Sequence, residues 1–323
     1  MIAGPPTRRR AVVVLAIVGV VAAALQIMNA NPAVSQTGVI TSLRTRTDPG
    51  LDPSAGAWSR APEAVVQLSA QRTAAPMGGG SITAVRVRSL HHGSRIYVRV
   101  EWDDRTRDVS TASPGRFADA VAVELPAVAG SSVPAVCMGQ ADSGVDVWQW
   151  RADRQYPTDW ARVHPNGYVD GYPKMPDGLD YPARKVGNLV ATPGHPAQDL
   201  VARGFGTLAP ARSQAVQGRG VFGGSARSGH WAVVFSRDFK APSNTEPDFS
   251  VGKRTDVAFA VWNGSKGDRN GIKSVSAFSR LAVSRSTVAP ASSQLWLFVL
   301  MAVLLLILGL LWFLLRRVTA EAR

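Results

Sequence analysis

The stretch "ITAVRVRSLHHGSRIYVRVEWDD", Ile82 to Asp104, alternates apolar and polar side chains almost without a break. Val85 and Val87 stand against Arg86 and Arg88; Ile96, Val98 and Val100 stand against Tyr97, Arg99 and Glu101. A period of two sends successive side chains to opposite faces of a strand. The central "HHGS" fits a hairpin connection. This pattern predicts two antiparallel strands, with His91 and His92 in a solvated turn and Asp103 and Asp104 as ordinary turn carboxylates at the far end.

The same rhythm returns in "DAVAVELP" (Asp119 to Pro126), "HWAVVFSRDF" (His230 to Phe239), "TDVAFAVWNGS" (Thr255 to Ser265) and "IKSVSAFSRLAV" (Ile272 to Val283). Short strands parted by Gly, Pro and Asn turns, with no convincing amphipathic helix, predict an all-β domain built as an antiparallel β-sandwich over residues 34–285. Residues 156–207 interrupt the rhythm. They are rich in Pro, Gly, Tyr and Asp, and their aromatic content favours a packed lid-like insertion. The run "AAPMGGGS" (Ala74 to Ser81) reads as a flexible loop.

Two apolar segments flank this domain. After Arg8 to Arg10, about 18 apolar residues run from Ala11 to Met28, so residues 1–33 read as a signal peptide or a membrane anchor. Residues 286–294 form a short linker. Residues 295–315, Leu295 to Leu315, would span about 31 Å as a helix, matching a bilayer core. Trp296 and Trp312 sit near its ends, and Arg316 and Arg317 open a cytoplasmic tail, 316–323. By the positive-inside rule the main domain is extracytoplasmic and the C-terminus cytoplasmic.

Composition removes several function classes. The formal charge is +13 across 323 residues, but between the terminal runs Arg8 to Arg10 and Arg316 and Arg317 the arginines are scattered among apolar residues and form no basic block, so nucleic acid is not an expected partner. A single cysteine, Cys137, excludes an intrachain disulfide and a C-x-x-C-H haem attachment site. Several-thiolate zinc or iron–sulfur centres are disfavoured for the same reason. The five histidines show no H-x-x-x-H spacing, and no G-x-S-x-G or phosphate-cradling glycine loop occurs. Catalysis by this chain alone is not expected.

Two phrases stand out. "VPAVCMGQADSGVDVWQWRAD" (Val133 to Asp153) places Cys137 and Met138 in a turn before an aromatic strand, and "GDRNGIKSVSAF" sends Lys273 from a polar turn into a strand. Taken singly, a methionine at a strand edge is ordinary core filler and a lysine after a turn is ordinarily solvated.

Together with their neighbours they resemble the haem b-binding subunit of the ethylbenzene dehydrogenase and dimethylsulfide dehydrogenase group, in the type II branch of the dimethyl sulfoxide reductase family. The matching phrases fall in order: "IYVRVEWDD" (Ile96 to Asp104), "RFADAVAVELP" (Arg116 to Pro126), "MGQADSGVDVWQWRAD" (Met138 to Asp153), "DLVARGFGTL" (Asp199 to Leu208) and "VAFAVWNGSKGDRNGIKSVS" (Val257 to Ser276). "NGYVDGYP" (Asn166 to Pro173) and "ARKVGNL" (Ala183 to Leu189) extend the likeness into the expected lid.

The resemblance implies a sandwich akin to carbohydrate-binding modules, holding one non-covalent haem b whose iron lies between the sulfur of Met138 and the amine of Lys273. It also implies a molybdopterin catalytic subunit and an iron–sulfur subunit as partners, with electron transfer as this chain's task. On that reading Cys137 alternates away from Met138 into packing, its thiolate being the local rival ligand. A membrane helix is a departure from the group's pattern and implies a tethered complex. The competing readings are a haem-free ligand- or carbohydrate-binding module presenting Trp148, Trp150, Trp160, Trp231 and Trp262, and a purely structural scaffold.

Overall fold

The computed structural model describes residues 38–128, 134–156, 195–225 and 228–288, with a few positions between 301 and 312. The chain divides into two units, 1–287 and 288–323. The first strands are β1 (Val39–Arg44), β2 (Ala64–Gln67), β3 (Ser69–Ala70), β4 (Ala84–His92), β5 (Arg95–Asp103), β6 (Ala120–Pro126) and β7 (Val145–Arg151). A one-turn helix, α1 (Ala152–Gln155), follows. Then come β8 (Ala197–Ala202), β9 (Ala209–Pro210), β10 (Gln217–Gly223), β11 (His230–Asp238), β12 (Arg254–Trp262), β13 (Ser274–Val275) and β14 (Ser279–Thr287).

They form two layers. One runs β10–β11–β5–β4–β1–β14, and the other β12–β6–β7–β8–β9. β12 joins them: Arg254 to Val257 pair with β14, and Ala258 to Trp262 pair with β6. Inward side chains of both layers meet in one apolar cluster. Val85, Val98, Val100, Trp102, Trp231 and Phe235 from the first layer pack on Val121, Val123, Trp148, Trp150 and Phe259 from the second. Four tryptophans here, 102, 148, 150 and 231, are fully enclosed, and each such burial contributes about 3 kcal/mol. A sandwich is what two half-apolar sheets must make.

The β4–β5 hairpin has the register the alternation predicts, with Arg86 opposite Glu101 and Arg88 opposite Arg99. Pairing is antiparallel except around β1, which runs parallel to both β4 and β14. β1 is tied to neither neighbour by a hairpin, so nothing in local turn chemistry forces an antiparallel pairing on it. The "IKSVSAFSRLAV" run is likewise two strands rather than one, β13 and β14, because the path steps from one layer to the other between them.

Residues 157–194 of the expected lid lie outside the described residues. Its last part is not lid: β8 is a regular strand, hydrogen-bonded to β7 over its whole length. Both faces of β8 are covered, which leaves it without the polar–apolar alternation that marks a half-exposed strand.

His91 also departs from the sequence reading. It is 2% exposed, with Nδ1 3.4 Å from Ser42 Oγ and its ring 5.7 Å from that of Phe239. Segments remote in sequence cover this end of β4. Asp104 is buried too, its Oδ1 capping the Thr106 N–H and hydroxyl, whereas Asp103 is exposed and paired with Arg86.

Burial holds the His91 pKa below its ordinary 6.5. The unfolded chain therefore binds a proton at His91 that the folded chain refuses. The associated stability is present above pH 6.5 and is lost as pH falls, by up to about 1.4 kcal/mol per unit. Urea unfolding at pH 7 and pH 5.5 should show a shallower pH dependence for His91→Gln than for the parent. Parallel pH dependences would contradict a buried neutral imidazole.

The N-terminal segment 1–33 lies outside the described residues. Among the described residues no helix is long and apolar enough to cross a membrane. Most of 295–315 is outside them; its described positions, 301, 304, 305, 307–309 and 312, are helical.

Candidate functional site

The outer face of the second layer carries the site. On β6, Val121, Val123 and Leu125 point into the core, so Ala120, Ala122 and Glu124 point out. β12 presents Ala260 and Trp262 on that face; β7 adds Val147, Gln149 and Arg151, and β8 adds Leu200. Alanines where strands usually carry bulky groups leave a recessed, apolar floor. Loops rise around it and enclose a cleft of about 620 Å³.

Met138 and Lys273 both line this cleft. Met138 is half-buried and packs against the alanine–valine patch on the floor. Its loop is tightly fixed. Cys137 has φ +95° and Gly139 φ +63°, the Met138 carbonyl accepts the Gly204 N–H at 2.8 Å, and a Cβ on Gly139 would lie 2.6 Å from the Ser143 carbonyl oxygen.

Lys273 is 3% exposed, and its Nζ lies 5.0 Å from the centre of the Trp262 ring. Burial pushes its pKa down, with Cys137 and Glu124 pulling the other way. The "AAPMGGGS" run is what holds its main chain. Gly79, at φ +88°, approaches so closely that a Cβ there would lie 2.2 Å from the Lys273 carbonyl carbon. Gln71 N–H donates to the Lys273 carbonyl at 3.1 Å, and Gly80 N–H donates to Ser274 Oγ at 3.0 Å. What composition marked as a flexible loop is packed against the strand it supports.

Glu124 was not singled out by the sequence. It is 6% exposed and receives the Cys137 N–H on both carboxylate oxygens at 3.1 Å, tying the Met138 loop to the floor. Burial pushes its pKa up to about 7, against the pull of Lys273. Its signal was present: a lone carboxylate in phase with Ala120 and Ala122, inside an otherwise apolar strand.

Cys137 differs from expectation. It is buried, but it lines the same cleft as Met138 instead of turning away from it. Its positive φ breaks the strand-like alternation on which the sequence reading relied. Burial pushes the thiol up to about 11, which keeps it protonated.

The tryptophans proposed as a ligand platform do not form one. Trp148, Trp150 and Trp231 are fully enclosed core residues; Trp262 reaches the cleft, and Trp160 lies outside the described residues.

A thioether and an amine that burial biases towards its neutral form are a donor set for a transition metal, not for calcium or magnesium. A flat apolar floor with an aromatic wall and Arg151 and Arg269 among its lining residues suits a planar, apolar group with anionic substituents. The residues present therefore fit a haem.

A protein of Haloferax mediterranei named as a respiratory nitrate reductase heme subunit is 29% identical over 225 residues, covering 69% of this chain and 65% of that one. This chain thus spans just under two thirds of that relative's length. The dimethylsulfide dehydrogenase subunit gamma of Rhodovulum sulfidophilum is 29% identical over 255 residues, covering 74% of this chain and 77% of its own. Among solved structures, a carbohydrate-binding module of family 9 from Caldicellulosiruptor kristjanssonii aligns with 78% of this chain and 98% of its own at 9% identity and TM-score 0.39, a likeness too loose to inform the site. The sequence model of the ethylbenzene dehydrogenase family matches residues 55–274, a span holding Met138, Lys273 and every strand of the cleft floor, and the chain belongs to that family.

Proposed function

We propose that this chain is the haem-carrying electron-transfer subunit of an exported molybdoenzyme complex, with Met138 and Lys273 as the residues that would hold the iron of one non-covalent haem b. The observation that carries this reading is the meeting of these two side chains, far apart in sequence, in one cleft floored by alanine. When bound, the haem would supply a one-electron carrier.

The chain's own residues prepare the site. Lys273 can ligate only as the neutral amine, and burial beside Trp262 moves it in that direction. The Glu124–Cys137 hydrogen bonds hold the thioether in the cleft wall. Of the two arginines that line the cleft, Arg151 is paired with Asp153, which leaves Arg269 as the better candidate to meet a propionate. The role proposed for the chain is non-catalytic, beside a molybdopterin subunit and an iron–sulfur subunit. The relatives' printed names, a heme subunit and a gamma subunit, support the same division of labour.

We further propose a tether. The apolar residues 295–315 would anchor the complex with the sandwich on the extracytoplasmic side, a reading supported by the exposed side chains of Leu304, Leu305 and Ile307 on helical positions.

The test is spectroscopic. The full chain, titrated with haemin and then reduced, should take up one equivalent and show sharp b-type Soret and α bands. A protein that stays colourless at every haemin concentration overturns the proposal.

A further inference from the structure

Behind the cleft lies a second cluster, on the opposite face of the same two strands. Asp146 alternates with Val147 on β7, and Asp199 with Leu200 on β8, so both carboxylates point away from the cleft. Glu246, from the segment after β11, joins them. Asp146, Asp199 and Glu246 can each place a carboxylate oxygen within 4.8 Å of the other two. Asp146 and Asp199 are fully buried, and Glu246 is 4% exposed.

One cation accompanies them. Arg237, itself fully buried, reaches Asp146 at 3.1 Å and Glu246 at 3.2 Å and donates to the Pro247 carbonyl. Three ionised carboxylates against one guanidinium leave two negative charges uncompensated in a site without solvent, an arrangement that costs many kcal/mol unless neutralised. The hydrogen bonds are incomplete as well. Asp146 Oδ1 and both Asp199 oxygens receive no hydrogen bond from any other described residue, although buried polar atoms nearly always have a partner. The two carboxyl groups are near enough to bond to each other, but only if one of them carries a proton.

A proton shared between Asp146 and Asp199 would satisfy two of these three oxygens. It would leave the third orphaned and one charge in excess. A divalent cation answers both deficits, because it cancels two charges and accepts every free oxygen. The donor set is oxygen only, which selects a hard ion. Oxygens bound at 2.3–2.6 Å to calcium lie up to about 5 Å apart across the ion, as these can. Magnesium, which keeps several waters and a strict octahedron, is poorly served by a closed pocket.

We propose that Asp146, Asp199 and Glu246 form a site for one divalent cation of the calcium class, clamping β7 and β8 to the segment that follows β11. Burial and the neighbouring Asp146 charge push Asp199 far above the ordinary carboxylate range when no cation is present; a bound cation holds it ionised instead.

Full-length protein stripped with chelator and then titrated with calcium chloride tests this. The expected result is one calcium per chain by elemental analysis, and a melting temperature raised by roughly 5–10 °C at calcium a hundredfold above its Kd. Asp199→Asn should lose both. Should the variant fail to fold, the wild-type comparison decides alone. No retained calcium and no calcium-dependent shift in the wild type would overturn the site and leave the two excess charges to be met by protons. Neither readout depends on haem.

Discussion

Replacing Lys273 by alanine should cost the haem-loaded protein one of its two proposed iron ligands and at least about 10-fold in haem affinity. Even groups that only orient a metal ligand are worth 10–100-fold, and the ligand itself is worth no less. The loss should be visible as well as measurable: an open iron position admits carbon monoxide, so the reduced variant should shift its Soret band on exposure to that gas while the parent does not. Removing a nearly fully buried amine also frees the apoprotein from the cost of enclosing it, and the variant should fold. Lys273→Met is the informative companion. It restores a ligand of similar reach, so six-coordinate haem should return, with a higher reduction potential because a thioether favours ferrous iron. An unaltered spectrum and potential in Lys273→Ala would remove this residue from the iron.

Arg237→Ala should destabilise the fold by about 3–5 kcal/mol, the range found when one partner of a buried ionic network is deleted. Its guanidinium is packed over Trp148 at 5.1 Å and Phe249 at 5.0 Å and holds Asp146, Glu246 and the Pro247 carbonyl together. Without it Asp146 and Glu246 lose the one cationic side chain that reaches them among the described residues, and the two rings lose their neighbour. Domains commonly hold about 5–15 kcal/mol in all, so a fifth of the total or more is at stake. Arg237→Lys should recover only part of the loss, since an ammonium cannot reproduce the planar fork. The measurement is the urea midpoint at unchanged m-value. A loss under about 1 kcal/mol would mean that the cluster neutralises itself by other means.

Much of the architecture was legible in the sequence wherever one face of a strand meets solvent. Arg86, Arg88, Arg99 and Glu101 mark the outer face of β4 and β5, and the register follows. The reading failed where both faces are covered, because alternation then carries no contrast; β8 and the buried His91 are the cases. Two charges broke the pattern in an informative way and went unremarked. Asp146 is in phase with Trp148 and Trp150, and Arg237 with Trp231, Val233 and Phe235, so both sit at core positions of their strands. A charge in step with the core is a sign of an internal partner, which here each supplies to the other. Met138 and Lys273 are different. No local period distinguishes them from filler and a solvated lysine, and only the resemblance of whole phrases singled them out. The folded chain then brings them into one cleft. The orientation of Cys137 was beyond local pattern because its backbone leaves strand geometry.

β12 has a mechanical consequence. It is bonded to one layer at its start and to the other at its end, where Ala260 and Trp262 line the cleft. The floor is therefore cross-braced: it cannot shift without shearing ladders on both sides of the molecule. For the electron carrier proposed above, a floor that need not rearrange as charge arrives and departs would keep the reorganisation energy of transfer low.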